Sequence, residues 1–340
     1  MKRDVKKFSL SLLSKYRNEI YGFSILWIML FHSYLCEITW NSVFRVIKIG
    51  NMGCEIFLLL SGISLYFAFA KVDNLLQFYQ RRLMRALIPT WLISAVYWIY
   101  EFASGQCAFR DLILRFTTLN FWVTGNQQIW FICLIILSYL LYPMLNQIIF
   151  RDDNTRKQIL RTIVICVIEV ITVLIIRSVM PALYSNSEIA LTRMPVFTCG
   201  VFFGKHVFEK RELSKWIPLL SLICTVISFL ILSNVSMPGI IRRYFYIFGG
   251  VPLTFLLARI FEITDRIHLS GINRILRFFG GMTIELYLVH IIVITLYRTS
   301  AFGIYTEGKK SSYLILLCVC VGIAYIASRI DRVILKRLMP

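Results

Sequence analysis

The feature that most constrains this chain is the recurrence of long apolar runs. A helix needs about 20 mostly apolar residues to cross the hydrocarbon of a bilayer, where no backbone group can be left unpaired. Ten such runs are present, at roughly 20–36, 52–70, 87–103, 129–149, 159–177, 190–207, 216–233, 243–260, 279–299 and 311–330. Most are rich in Ile, Leu, Phe and Val, with Trp or Tyr near the ends, where the membrane interface favours amphipathic rings. The runs 190–207 and 243–260 fit least well, since they carry Gly, Pro and, in the first, Arg193. Composition agrees. Of 340 residues, 58% are hydrophobic and 16% charged, against about 25% charged in a soluble domain. A soluble enzyme, a disordered chain and a disulfide scaffold are thereby excluded. The expected fold is all-α, a polytopic integral membrane bundle of about ten transmembrane helices.

No internal repeat and no Ser/Gly-rich linker divides the chain, so one domain is expected. Residues 1–18 form a basic N-terminal segment, 19–332 the membrane domain and 333–340 a short tail. The N-terminus lacks the form of a cleavable signal: its first long apolar run contains His32 and has no small-residue cleavage site after it.

The formal net charge is +19, from 37 Lys+Arg and 18 Asp+Glu. Such an excess can mark a nucleic-acid binder. Here the bases lie in small clusters between apolar runs, so no nucleic-acid partner is expected and the charge reads as topology. Alternate loops and the two termini hold 26 Lys/Arg, the opposite loops hold ten, and Arg193 falls within a run. The positive-inside rule then places both termini in the cytoplasm, and only an even number of spans preserves the alternation. The nine Cys lie mostly inside apolar runs, with no Cys-x-x-Cys pair and no metal-type spacing, and read as small buried residues.

Ionisable groups within membrane runs are costly and point to function. They are His32, Glu55, Glu169, Arg193, Glu285 and His290, with Glu101 near a run's end. His32 lies about 18 Å along the first run, at 1.5 Å per residue, where a neutral imidazole can act as a general base or simply bond a neighbouring helix. Glu55, one turn into the second run, can orient a histidine, bind an acceptor hydroxyl or sit as an interfacial carboxylate. Arg81, Arg82 and Arg85 precede the third run. Arg82 and Arg85 share a helix face, as a phosphate grip requires, although flanking charge is the simpler reading of these residues alone. Arg193 can pair with a carboxylate. Tyr287 and His290 share a face, whereas Glu285 lies about 140° from His290 around the helix, so those two are not a dyad. Glu169 has no evident partner. No nucleophile elbow, Walker loop or Gly-rich nucleotide fingerprint is present.

Five stretches together resemble the membrane acyltransferase-3 family, which O-acetylates cell-surface polysaccharides and related glycans. Phe31-His32 resembles the end of the family's first span, with its catalytic His. Gly53-Cys-Glu55-Ile-Phe57-Leu-Leu-Leu-Ser61-Gly62 resembles its Gly-Val-Asp/Glu-Ile-Phe-Phe-x-x-Ser-Gly. Arg81-Arg82-Leu-Met-Arg85-Ala-Leu-Ile-Pro89 resembles its Arg-Arg-x-x-Arg-x-x-x-Pro. Trp130-Phe131 with Tyr139 and Pro143, and Tyr287-Leu-Val-His290, resemble two later motifs. One position departs: family members often carry Arg eleven residues before the histidine, where this chain has Tyr21, its nearest upstream arginine being Arg17.

The resemblance implies a membrane-embedded O-acyltransferase. Acetyl-CoA, as donor and with no metal, would place its phosphates near Arg81, Arg82 and Arg85. His32 would act as base on an acceptor hydroxyl or relay the acyl group, with Glu55 as a second catalytic residue. Trp130, Arg193, Glu285, Tyr287 and His290 would line the cavity or orient the base. The partners implied are acyl-CoA, a cell-surface glycan or lipid-linked saccharide and the lipid bilayer. The location implied is a bacterial cell membrane, with multiple passes. A glycan transporter or flippase shares the basic loops and buried polar residues but predicts inverted repeats, which are not visible. A structural membrane subunit leaves the buried His and Glu without a purpose.

Overall fold

The computed structural model describes residues 7–299 and 308–338, so Lys2, Arg3 and Lys6 of the basic N-terminal segment and the last two residues of the tail lie outside the described residues. Helices dominate, because a helix satisfies every backbone group within one segment. The chain opens with β1 (Phe8–Ser9) and α1 (Ser11–Lys15), followed by α2 (Arg17–Phe31). A 3-10 turn over His32–Cys36 and another over Ser42–Met52 lead to α3 (Gly53–Phe69) and α4 (Leu75–Ala103). Short α5 (Phe109–Phe116) and α6 (Asn120–Thr124) precede α7 (Trp130–Ile149), α8 (Thr155–Val179), α9 (Pro181–Leu191) and α10 (Met194–Phe208). After β2 (Glu212–Leu213) come α11 (Ile217–Asn234), α12 (Gly239–Arg266), α13 (Ser270–Gly280), α14 (Thr283–Arg298) and α15 (Lys310–Leu338). β1 pairs antiparallel with β2, tying the N-terminus to the turn after α10.

Local chemistry sets the boundaries. The Asn74 side chain accepts from the Gln77 amide at 2.8 Å and starts α4. Asn154 accepts from the Arg156 and Lys157 amides at 3.0 and 3.2 Å and starts α8. These bonds satisfy amides that a helix start leaves free.

Among the described residues, eight helices are long and apolar enough to cross a membrane, and up to nine if α13 and α14, which meet at 69°, form one broken span. The bundle is therefore all-α and polytopic, but the run 190–207 is not one long helix. Arg193 and Pro195 fall at the junction of α9 and α10, and α10 has only 15 residues, about 22 Å of rise against about 30 Å of hydrocarbon. The third run also starts earlier than its hydropathy indicates. α4 continues back to Leu75, so Arg81, Arg82 and Arg85 lie in the same helix as the third run.

α8 and α11 form the lipid-facing shell. On α8 only Gln158, Thr162 and Val173 are buried. The inner helices approach closely where glycine permits. A Cβ at Gly280 would lie 1.8 Å from the Asn18 carbonyl oxygen, locking α13 across α2. A Cβ at Gly200 would lie 2.3 Å from the Leu59 carbonyl oxygen, locking α10 against α3.

Candidate functional site

A cavity of about 670 Å³ lies among α2, α3, α4, α7 and α14. That is the size of a typical small-molecule site. It is long rather than round. On α2 its wall runs from Tyr21 to Phe31, and on α4 from Ala86 to Glu101, which is about 15 and 22 Å of helix rise. The two ends differ in chemistry. At the end nearer Arg17 the wall is formed by Tyr21, Ser61, Ala86 and Tyr139. At the far end it is formed by Tyr34, Asn51, Tyr97, Glu101, Asn126 and Arg243. Between them the rings of Tyr21 and Phe57 stack at 5.1 Å, Phe57 meets Phe131 at 5.9 Å, and Phe131 meets Tyr287 at 5.8 Å. The Tyr287 hydroxyl is held in place, accepting from the Phe131 amide at 3.3 Å and donating to the Gln128 carbonyl at 3.4 Å.

His32 caps the C-terminal end of α2, where the α-helix tightens into the 3-10 turn His32–Cys36. It lines the cavity. Directly behind it lies His290 on α14, fully buried, with its Nε2 3.1 Å from His32 Nδ1. The proton positions follow from the partners. His290 Nδ1 is 2.7 Å from the Leu286 carbonyl, which can only accept, so Nδ1 carries the proton and Nε2 offers a lone pair. With both rings neutral, His32 Nδ1 then donates to His290. His32 Nε2 is left with a free lone pair, the arrangement of an oriented base.

Beyond the Arg17 end, Arg82 is half-buried within electrostatic reach of Arg17, Arg85, Tyr21 and Tyr139. The two tyrosines line the cavity, whereas the three expected phosphate-binding arginines stand just outside its wall. Pro89, one turn after Arg85 in α4, cannot donate to the Arg85 carbonyl, leaving a polar backbone group at this end.

A family model described as an acyltransferase domain matches residues 21–329 of the chain. The protein belongs to the acyltransferase-3 family. No curated protein and no solved structure matches it significantly. The expected family is thus shown over nearly the whole membrane bundle, and acyl transfer is the coarse activity it brings.

In this acyltransferase the sequence-derived residues fall into two groups. His32, Trp130 and Tyr287 line the cavity, and His290 supports His32. Glu55, Arg193 and Glu285 do not line it. Arg193 Nε lies 2.8 Å from Glu55 Oε1, with both side chains fully buried. The guanidinium sits 5.1 Å over the Trp130 ring, and its Nη1 donates to the Ile189 carbonyl at 2.5 Å. This pair joins α3 to the α9–α10 junction and stands away from His32. Glu285 points toward the α15 side of the bundle, within electrostatic reach of Asp331 and Arg332. Glu169, unassigned from the sequence, accepts from the Thr198 hydroxyl at 2.7 Å. Residues not foreseen are Asn51, Tyr97, Asn126, Gln128 and Arg243; Glu101, noted in the sequence near a run's end, also lines the cavity and is ion-paired to Arg115. A signal existed for some of them: Asn126-Gln127-Gln128 is an unusual run of amides directly before an apolar helix.

Proposed function

We propose that the protein transfers an acetyl or similar acyl group from cytoplasmic acyl-CoA to a hydroxyl of a cell-surface or lipid-linked glycan, with His32 as general base. One observation carries the reading: a cavity-lining histidine whose Nδ1–H is engaged by a buried second histidine, leaving Nε2 to take a proton. The family match supports acyl transfer as the chemistry. The orientation rests on charge: with α9–α10 and α13–α14 each counted as a broken span, the crossings number ten and both termini face the cytoplasm. The Arg17 end is then cytoplasmic, and Arg81, Arg82 and Arg85 stand where nucleotide phosphates would arrive. The pantetheine arm would run along the aromatic wall and bring the thioester to His32.

In the proposed step the acceptor oxygen attacks the thioester carbonyl as His32 Nε2 takes the hydroxyl proton. The new C–O bond forms, the C–S bond breaks, and His32 returns the proton to the departing thiolate. Base catalysis of this kind contributes about 10²–10⁴-fold. The Glu55–Arg193 pair holds the helices that frame the site.

The test uses membranes carrying the protein, labelled acetyl-CoA and glycan acceptor. His32→Ala at normal membrane level should lower transfer at least about 100-fold. Transfer at the wild-type rate would remove His32 from the mechanism. Failure of glycan export with acetylation unchanged would favour a transporter instead.

A further inference from the structure

We infer that the acceptor is anionic: a glycan whose acidic group, a sugar carboxylate or phosphate, is bound by Arg243 at the far end of the cavity. This rests on the acyl-transfer reading of the same cavity and adds the class of its acceptor.

The positive-inside rule should empty the far side of lysine and arginine. Its loops nevertheless hold ten of them against five acids, Glu37, Glu101, Asp111, Glu188 and Glu307. Two of those acids are already spent on ion pairs at the cavity mouth, Glu101 with Arg115 and Glu188 with Arg243 at 2.6 Å. Arg243 nonetheless lines the cavity, and its Nε is buried without a hydrogen-bond partner. Glu188 takes Nη2 and Nε is closed off, whereas among the described residues Nη1 has no hydrogen-bond partner, so the outer side of the guanidinium is open to a second anion.

Part of the remaining excess lies around Tyr34 and Trp40, on the His32 side of the cavity. Lys48 lines a second recess of about 300 Å³, which shares Phe31 and Tyr34 with the main cavity. Trp40, in the same recess, carries the Lys310 ammonium 5.3 Å over its ring. Arg298 lies within electrostatic reach of Tyr34 and Cys36. Among the described residues, none of Lys48, Arg298 and Lys310 is within 4.0 Å of a carboxylate. Four elements distant in sequence thus bring cations to the side of the cavity that topology should leave least basic. Such a field concentrates anions at the mouth. Contact with lipid headgroups would explain exposed cations on the rim, but not Arg243 inside the cavity with its side chain only 17% exposed.

The test supplies membranes carrying the protein with labelled acyl-CoA and oligosaccharides released from the surface glycan of the same cells, then separates products by anion exchange. Label is expected in the acidic fraction. Carboxyl reduction of the acceptors should cut transfer at least tenfold if the anion is a carboxylate, and phosphate removal should do so if it is a phosphate. Label only in neutral products would overturn the inference while leaving acyl transfer standing. Label in neither would overturn both. Arg243→Gln should raise KM for the acidic acceptor about tenfold, the loss of one charge-assisted contact, with kcat within twofold. Because that change leaves Glu188 unpaired and can impair folding, Lys48→Gln, a substitution on the exposed rim, is the second arm, with a smaller rise in KM that high salt abolishes. Unchanged KM in both variants at normal membrane level would refute the inference.

Discussion

His290 offers the most direct test of how the site works. It does not line the cavity, so substrate need not touch it. Its proposed role is to fix the His32 tautomer and to hold the imidazolium that forms when His32 takes the acceptor's proton. His290→Leu removes the nitrogen 3.1 Å from His32 Nδ1 and places no polar atom there. A hydrogen bond to a charged group is worth about 1.5–3 kcal/mol, and about 1.4 kcal/mol is tenfold in rate, so a fall of about 10–150-fold follows. The bond strengthens only as His32 becomes charged, so the loss belongs in kcat, with KM for donor and acceptor unchanged. His290→Gln, whose amide oxygen can reach the place of Nε2, should recover part of it. The assay is initial-rate acyl transfer in membranes matched for protein level. A His290→Leu variant with kcat within twofold of wild type would refute the tautomer argument. A raised KM at unchanged kcat would make His290 a packing residue instead.

Three further outcomes are expected. Arg82→Ala should raise KM for acyl-CoA about tenfold, the effect of one charge-assisted contact, and leave KM for the acceptor alone; equal effects on both substrates would argue against a donor end. Glu55→Gln or Arg193→Met alone should destabilise by about 3–5 kcal/mol through an unpaired buried charge, visible as loss of folded protein from membranes, while the double variant regains much of it; a stable single variant would deny the pair its structural role. In the turn after α7, the Arg161 hydrogen bond at 2.5 Å holds the Asp152 carboxyl below the usual carboxylate range, so its stabilising effect is complete above about pH 4 and is lost as pH falls through the lower folded value. Amide protection in this turn, taken relative to the intrinsic exchange rate at each pH, should fall on that acidification in wild type but stay flat in Asp152→Asn, and a flat wild-type protection profile would refute it.

The bundle was legible in the sequence because lipid leaves a chain few choices. Apolar runs of span length become helices, and the runs 52–70 and 129–149 match α3 and α7 within a residue or so. The broken elements were harder. Hydropathy averages over Pro195 and Gly281, so 190–207 and 279–299 read as continuous runs where the helices turn. The site was legible by residue and not by pairing. His32 and His290 are 258 positions apart, and only tertiary packing brings their rings together. Glu55 looked equally able to serve His32, and the structure gives it to Arg193, which no spacing rule indicates. The far-end wall was hidden for a different reason: Tyr97 and Arg243 lie within two turns of a helix end and Asn126 in the link before α7, where polar and aromatic residues are ordinary at a membrane interface.

The choice of a histidine rather than a carboxylate behind His32 follows from the same dielectric that shapes the rest of the bundle. An ionised carboxylate at that depth needs a cation or several donors, and the buried Glu55 is matched by a whole guanidinium with an aromatic ring beneath it. His290 supplies an acceptor for the His32 Nδ1–H with no net charge to desolvate, and the Leu286 carbonyl that fixes it is its own helix's backbone, present without any further side chain. In the proposed step this arrangement would orient the base less strongly than a carboxylate, since an imidazolium at His32 would meet a neutral lone pair rather than a counter-charge. The remaining stabilisation must then come from the reacting partners, and an anionic acceptor held at Arg243 would place its negative charge on the same cavity that His32 enters. If so, neutral acceptors should lose in kcat as well as in KM, by more than Arg243→Gln costs with the acidic one. A neutral acceptor that turns over as fast as the acidic one at saturation would show that His290 alone suffices.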